Sequence, residues 1–251
     1  MQNMSFKIFG LFALLSLFTL HKIYPQSYEQ KLKEADSLFA AARFTDALTL
    51  YEDILQASGQ FSHQMLLKMA FIQEGLGDYT SSLYYLNLYY NYNPNKKVLK
   101  KMEDLASKHK LSGYRYTDLE YFISLYNQYY YSIIYLFLAF AVTYYLYLWL
   151  KKLRRRKLGL RPLAFILMLT TVYILTNYDL IPPKGIISES GTILMTAPSA
   201  ASDPIALVDK GHRVMVMGKE DVWYRILWES QTAYILESHL KLVSNNVTND
   251  E

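Results

Sequence analysis

The stretch that decides the organisation of this chain is LYLWLKKLRRRKLGLRPLAFIL, residues 146–167. It carries seven basic side chains within eleven positions and no acidic one: Lys151, Lys152, Arg154, Arg155, Arg156, Lys157 and Arg161. Basic runs of this kind occur in nucleic-acid-binding patches and also on the cytoplasmic side of membrane spans. The segments that flank the run distinguish these two interpretations.

Both flanking segments, residues 121–150 and 162–178, are apolar and free of charged residues. A charge-free apolar run of about 18 or more residues is typical of a membrane-spanning helix. We therefore predict spans at about residues 130–150 and 163–180, and the first would be about 31 Å long as a helix. The second run is shorter and would also fit a buried core helix. Residues 117–181 as a whole are predicted to form a juxtamembrane helix and these two spans.

The amino terminus, residues 1–26, has the pattern of an export signal, either cleaved or retained as an anchor. Lys7 precedes an apolar stretch from Ile8 to Leu20, and His21 and Lys22 follow it. Either outcome places the chain from residue 28 onward across the membrane. Because loops on the cytoplasmic side are enriched in Lys and Arg, the basic run is then the cytoplasmic turn between two spans. Such a run also attracts anionic membrane lipid, and nucleic acid is not an expected partner.

Residues 28–112 contain a repeat with an offset of 35 residues. The equivalent pairs are Ala35 and Ala70, Ala42 and Gly77, Phe44 and Tyr79, Ala47 and Ser82, and Tyr51 and Leu86. The second copy is clearest in GLGDYTSSLYYLNLYYNYNPN, residues 75–95, where a tight turn precedes an amphipathic helix that a proline ends. This pattern resembles the tetratricopeptide repeat, whose helical hairpins stack and hold partner proteins. The resemblance makes Tyr84, Tyr90 and Tyr92 candidate partner contacts, and core packing is the alternative role for these tyrosines.

The carboxyl-terminal region, residues 184–244, has short alternating runs broken by Gly, Pro and Asp, which indicate a small all-β barrel. Val214 and Val216 are predicted to share one strand face, as are Tyr224, Ile226 and Trp228. The motifs ILMTAPS, DKGHRVMVMG, DVWYRI and TAYILESHL follow one another in the order found in bacterial SH3-like domains, which this region resembles. Met195 stands where that family has an arginine, and Tyr234 stands where it has a tryptophan. Trp223 and Tyr234 are candidate ligand contacts of this domain or, alternatively, part of its core.

The residue types that most enzymes use are sparse. The chain has no cysteine, and its five histidines are scattered without metal-binding spacing. We predict no catalytic, cofactor-binding or metal-binding residue, and we expect that the protein is not an enzyme.

The order of signal, tetratricopeptide-like repeats, two spans and SH3-like barrel resembles the BatE-type proteins of Bacteroides aerotolerance operons. The resemblance implies a multi-pass protein of the cytoplasmic membrane with both large domains outside. It also implies an interaction role in an envelope stress complex, beside von Willebrand-type membrane proteins. The alternative is an accessory protein that binds peptidoglycan through the SH3-like domain.

Overall fold

The computed structural model describes residues 26–115, 118–153, 161–177 and 182–243. The predicted export signal and the basic residues Arg154 to Lys157 therefore lie outside the described residues. The described chain divides at Gly59 into two compact units, one ending there and the other beginning at Gln60.

Seven α-helices precede the β-strands in the described part of the chain. They are α1 (Gln26–Ala40), α2 (Phe44–Ser58), α3 (His63–Gly75), α4 (Tyr79–Tyr92), α5 (Lys96–Lys108), α6 (Asp118–Leu153) and α7 (Arg161–Asn177). Side-chain caps begin three of them, because the first backbone N–H groups of a helix have no partner within it. Ser62 accepts from the N–H of Met65, Asp78 from that of Ser81, and Asn95 from that of Lys97.

The predicted offset of 35 residues recurs in the helix boundaries. Helix α1 ends at Ala40 and α3 at Gly75, and α2 begins at Phe44 and α4 at Tyr79. The equivalent turn residues Ala42 and Gly77 both have a positive φ, of 56° and 80°. The first equivalent pair of the repeat, Ala35 and Ala70, is buried in both copies, with 0% and 2% exposure. Each hairpin, α1–α2 and α3–α4, is thus built on the same local plan.

Helix α6 contains a segment, Gln128–Leu153, that is long and apolar enough to cross a membrane. In α7 the apolar part, Phe165–Ile174, is shorter, so among the described helices length and composition identify one candidate span rather than the predicted two. Most large apolar side chains of both helices are exposed, among them Leu136 at 71% and Leu167 at 70%. A core helix would be buried by the rest of the protein. The described residues leave these two helices largely exposed.

The carboxyl-terminal residues 182–243, here called the β-domain, form one antiparallel seven-stranded sheet. The strands are β1 (Lys184–Ile187), β2 (Thr192–Met195), β3 (Pro204–Val208), β4 (Arg213–Glu220), β5 (Trp223–Trp228), β6 (Gln231–Leu236) and β7 (Leu240–Val243), in the order β3-β2-β6-β5-β4-β1-β7. A single 3₁₀ turn, Glu237–His239, links the last two.

Alternation along the strands builds the core of the β-domain. The core consists of Ile187, Leu194, Val208, Val214, Val216, Tyr224, Ile226, Ala233, Ile235 and Leu240, with Trp228 packed at its margin. The two strand faces predicted from the sequence, that of Val214 and Val216 and that of Tyr224, Ile226 and Trp228, are therefore the inward faces. A β-bulge between Val216 and Gly218 shifts the pairing of β4 with β5.

Candidate interaction sites

The loop between β3 and β4, residues 209–212, lies against the segment that follows helix α5. Gly211 has a φ of 100°, and a Cβ there would lie 2.9 Å from the side chain of Leu111. Only glycine fits this conformation and this approach. The loop thereby brings the first residue of β4, Arg213, between the segment after α5 and helix α4.

The guanidinium of Arg213 is the centre of this contact, because the residue is only 5% exposed. Its Nη1 donates to Asn87 Oδ1 of α4 at 2.9 Å, and its Nε donates to the carbonyl of Gly113 at 2.7 Å. Nη2 donates to the same carbonyl. A buried charge is tolerated only where hydrogen bonds replace its hydration, and the planar fork of arginine meets this need.

Backbone and aromatic contacts extend the site on both sides of the guanidinium. The ring of Tyr114 lies under it, with 4.9 Å between Arg213 Cζ and the ring centroid, and its hydroxyl donates to the carbonyl of Gly211 at 2.8 Å. The N–H of Arg213 donates to the carbonyl of Ser112 at 3.1 Å. Gly113 has a φ of 88°, and a Cβ there would collide with the carbonyl of Arg213. Residues 112–114 thus run alongside β4 at close range.

His212 completes the contact through its ring nitrogen. Nδ1 accepts from the N–H of Ser112 at 3.0 Å, so this nitrogen carries no proton, and the ring meets Trp228 edge to face. Burial lowers the pKa of His212 below its ordinary value of 6.5, and the nearby charge of Asp209 opposes this shift in part. The hydrogen bond from the Ser112 N–H therefore forms only with the neutral imidazole.

Strands β7 and β1 attach the β-domain to helices α4 and α6. Asn91 Nδ2 donates to the carbonyl of Val243 at 3.3 Å, and Lys241 Nζ lies 5.8 Å from the ring centroid of Tyr84. At β1, Lys184 Nζ pairs with Glu120 Oε1 of α6 at 2.8 Å, with both side chains largely buried. Burial and the charge of Arg213 lower the pKa of Lys184, and the pairing with Glu120 opposes them.

The predicted tyrosines of α4 lie at this interface or in the helical core. Tyr90 is 3% exposed, and burial raises its pKa, so core packing describes its role. Tyr84 is half-buried beneath Lys241, and Tyr92 is half-buried with its ring 4.8 Å from that of Phe61. The α4 surface that the sequence assigned to a partner protein is therefore occupied in part by the β-domain of the same chain.

A second site lies on the outward face of β4, β5 and β6. Arg225 is the register partner of Gly218 and of Tyr234, and Trp223 is that of Glu220 and of Leu236. Trp223 is 8% exposed but is not among the residues of the β-domain core, whereas Tyr234 is half-buried.

Charge pairing joins these residues into one surface. The Tyr234 hydroxyl approaches Glu220 Oε1 at 3.5 Å, and Arg225 Nη1 lies 3.7 Å from the same oxygen. A Cβ at Gly218 would lie 3.2 Å from Arg225 Nη2, so glycine leaves room for the arginine. The face exposes part of the Tyr234 ring beside one acid and one base, whereas Trp223 is almost fully buried.

The strands of this face belong to a segment that matches a known family. Residues 190–241 match the bacterial SH3 domain family. No curated protein and no solved structure matches the chain. The matched range begins after β1, and in the structure β1 pairs with both β4 and β7, so the SH3-like domain of this protein also includes residues 184–187.

Three of the seven basic residues predicted to set the membrane orientation lie in described helices. Lys151 and Lys152 lie in the last turn of helix α6, and Arg161 begins α7. Among the described residues, no group of three or more His, Asp or Glu could hold a metal ion.

The sequence patterns did not identify Arg213, Asn87 or Lys184 as contact residues. Asn87 could have been found, because a lone amide within the apolar run LYYLNLYY of α4 indicates a buried hydrogen-bond partner.

We expect Arg213→Lys to loosen the SH3-like domain from α4. Lysine keeps the charge but lacks the fork that reaches Asn87 and Gly113 together, and hydrogen bonds to a charged group contribute about 1.5–3 kcal/mol each. Hydrogen exchange should be faster at the amides of residues 112–114 in the intact protein. The matched control is Arg225→Lys, since Arg225 is half-exposed and its pairing contributes at most about 1 kcal/mol. Equal exchange in both variants would contradict this role of Arg213.

The contact should also weaken in mild acid. Because the folded pKa of His212 lies below 6.5, the unfolded or undocked state binds the proton more tightly. The stabilisation is complete above that pH and decreases as the pH falls through the folded pKa. The same exchange measurement, divided at each pH by the intrinsic exchange rate of the amides, gives the opening equilibrium constant. This constant should increase at residues 112–114 as the pH is lowered below 6.5. His212→Gln, whose amide oxygen can accept from Ser112, should remove this dependence; a variant with unchanged pH dependence would show that another group is responsible.

Proposed function

We propose that this protein is a membrane-anchored interaction protein that holds helical repeats and an SH3-like domain outside the cytoplasmic membrane. The observation that carries the proposal is the ion pair between Glu120 and Lys184, at 2.8 Å. This contact places the start of helix α6 beside the first strand of the SH3-like domain, which the contacts of Arg213 hold there.

This ion pair supports two membrane crossings. If the segment Gln128–Leu153 crosses the bilayer, its two ends lie on opposite sides, because 26 residues of helix extend about 39 Å. The chain then returns to Lys184, which contacts Glu120 on the starting side. The segment between residues 154 and 183 must therefore cross again, and α7 is its only described helix. Ring contacts of Phe165 with Tyr144 and Tyr145 are consistent with a hairpin.

The orientation follows from charge. The seven basic residues at 151–161 occupy the turn between the two crossings, and cytoplasmic loops are enriched in such residues. The repeats and the SH3-like domain are then on the outer side, which is also the side expected for a bacterial SH3 domain and for a chain with an export signal. Anionic lipid of the inner leaflet is the expected contact of the basic turn.

Binding of partner proteins is the role that the two domains support best. The repeated hairpins with matched turns support the tetratricopeptide-like assignment, and the order of parts supports the resemblance to BatE-type aerotolerance proteins. We propose that the partners are membrane proteins of the same envelope complex, including von Willebrand-type proteins. We propose no enzymatic activity.

Topology is tested by single cysteines, since the natural chain has none. Leu76→Cys and Ala200→Cys, both at exposed positions, should react with a membrane-impermeant maleimide added outside the cytoplasmic membrane. Arg156→Cys should react only after the membrane is permeabilised. Protection of either of the first two cysteines, or labelling of the third in sealed cells, would contradict the orientation. Neutralising the seven basic residues should yield a mixture of orientations.

Peptidoglycan binding is the second candidate, and the outward face of β4–β6 favours it. The half-buried ring of Tyr234 and the paired charges beside it lie on strands within residues 190–241, which match a family whose members commonly bind peptidoglycan. The burial of Trp223 argues for a structural role of this side chain, so Trp223→Ala should cost about 3–5 kcal/mol and unfold the SH3-like domain.

Tyr234→Ala separates the two functions, because Tyr234 is only half-buried and its loss should leave the domain folded. Thr232→Ala, on the same strand at an exposed position, is the control. We expect no specific retention of the intact protein on purified sacculi. Retention that is lost in a folded Tyr234→Ala variant and kept in the control would instead establish wall binding.

A further inference from the structure

Helix α5 presents two opposite faces of different chemistry. Its apolar face is buried, with Met102 at 0% and Ala106 at 1% exposure. Its outward face carries five exposed lysines: Lys96, Lys97, Lys100, Lys101 and Lys108. Because the apolar side is already covered by protein, the helix offers its surroundings an almost purely electrostatic surface.

A contact with α6 indicates how far this lysine surface lies from the proposed membrane boundary. Lys96 Nζ lies 5.1 Å from the ring centroid of Tyr121. Tyr121 precedes the candidate span at Gln128 by seven residues, a distance of about 10 Å along the helix. The headgroup layer extends about 5–7 Å beyond the hydrocarbon core on each side. The first turns of α5 are thus within reach of the headgroups for long, flexible lysine side chains.

Nearby acids neutralise only part of this charge. Glu74 pairs with Lys101 at 2.6 Å, and Glu120 pairs with Lys184. Glu103 and Asp104 follow Lys100 by three and four residues and offset part of its charge, and Asp118 lies in the first turn of α6, three residues before Tyr121. Lys96 and Lys97 have only apolar or basic residues at these spacings along the helix. Lys97 and Lys100 are exposed on the part of the helix nearest to Tyr121.

We propose that the first turns of α5, through Lys96, Lys97 and Lys100, bind the anionic phospholipid headgroups of the outer leaflet. This inference rests on the proposed function, because it requires that α6 crosses the membrane. The site differs from the basic turn at residues 151–161, which would meet the opposite leaflet. Lipid binding by α5 would hold the hairpin α3–α4, on which α5 packs, at a fixed distance from the bilayer surface.

Lysine footprinting of the intact protein in nanodiscs tests the proposal residue by residue. The protein is reconstituted with phosphatidylcholine alone or mixed with phosphatidylglycerol, and an amine-reactive reagent is applied. Lys97 and Lys100 should react about fivefold more slowly in the anionic bilayer, the factor expected for one basic residue at such a surface. High salt should abolish the difference. Lys108 and Lys110, at and just beyond the far end of the same helix, are internal controls and should react equally in both bilayers.

A cysteine variant separates the possible outcomes. Leu138→Cys lies ten residues inside the candidate span, about 15 Å along the helix, and reports whether α6 is embedded. If that cysteine stays accessible to a water-soluble maleimide, the proposed function itself fails. If it is shielded while Lys97 and Lys100 react equally in both bilayers, the lipid contact is wrong and the membrane anchoring stands. Protection that persists in high salt would also contradict the proposal, because it would indicate burial by protein rather than by headgroups.

Discussion

The arrangement of this protein depends on the burial of one positive charge. A guanidinium as little exposed as that of Arg213 is stable only if its donors find acceptors on every side, and here the acceptors come from separate parts of the chain. Asn87 belongs to a helical hairpin, and Gly113 belongs to the segment that leads to helix α6. Satisfying this charge therefore fixes the SH3-like domain to these helices rather than leaving it on a flexible tether.

That docking has a topological consequence. Once β1 is held beside the start of α6, the chain that leaves through α6 must come back to the same place, and the Glu120–Lys184 pair marks that place. A long apolar helix alone is compatible with one crossing. If α6 crosses the membrane, the contact between its two flanking domains requires a second crossing, as proposed above. In that proposal the basic turn decides which side carries the domains.

Features that depend on residues close together in the sequence could be predicted, whereas contacts between residues far apart in the sequence could not. The apolar run of α6, the helix boundaries with their offset of 35 and the alternating strands are local patterns, so they could be predicted without knowledge of packing. The inward faces of β4 and β5 follow from alternation alone. The contact between Asn87 and Arg213 joins residues 126 positions apart, and nothing in the local sequence of either residue specifies the other. Tyr84 and Tyr90 were interpretable only as aromatic residues of an amphipathic helix, because the domain that covers Tyr84 lies elsewhere in the chain.

The docking and the return crossing are tested most directly by a proximity measurement across the membrane hairpin. Glu120→Cys and Lys184→Cys are introduced together in the otherwise cysteine-free chain, and a short bis-maleimide is added to native membranes. We predict efficient intramolecular crosslinking of this pair. We predict no crosslinking for the pair Glu120→Cys and Leu153→Cys, whose positions lie about 50 Å apart along one helix. Absence of the first crosslink, with both cysteines shown to react singly, would contradict the docking of the SH3-like domain at the start of helix α6 and the proposed return crossing.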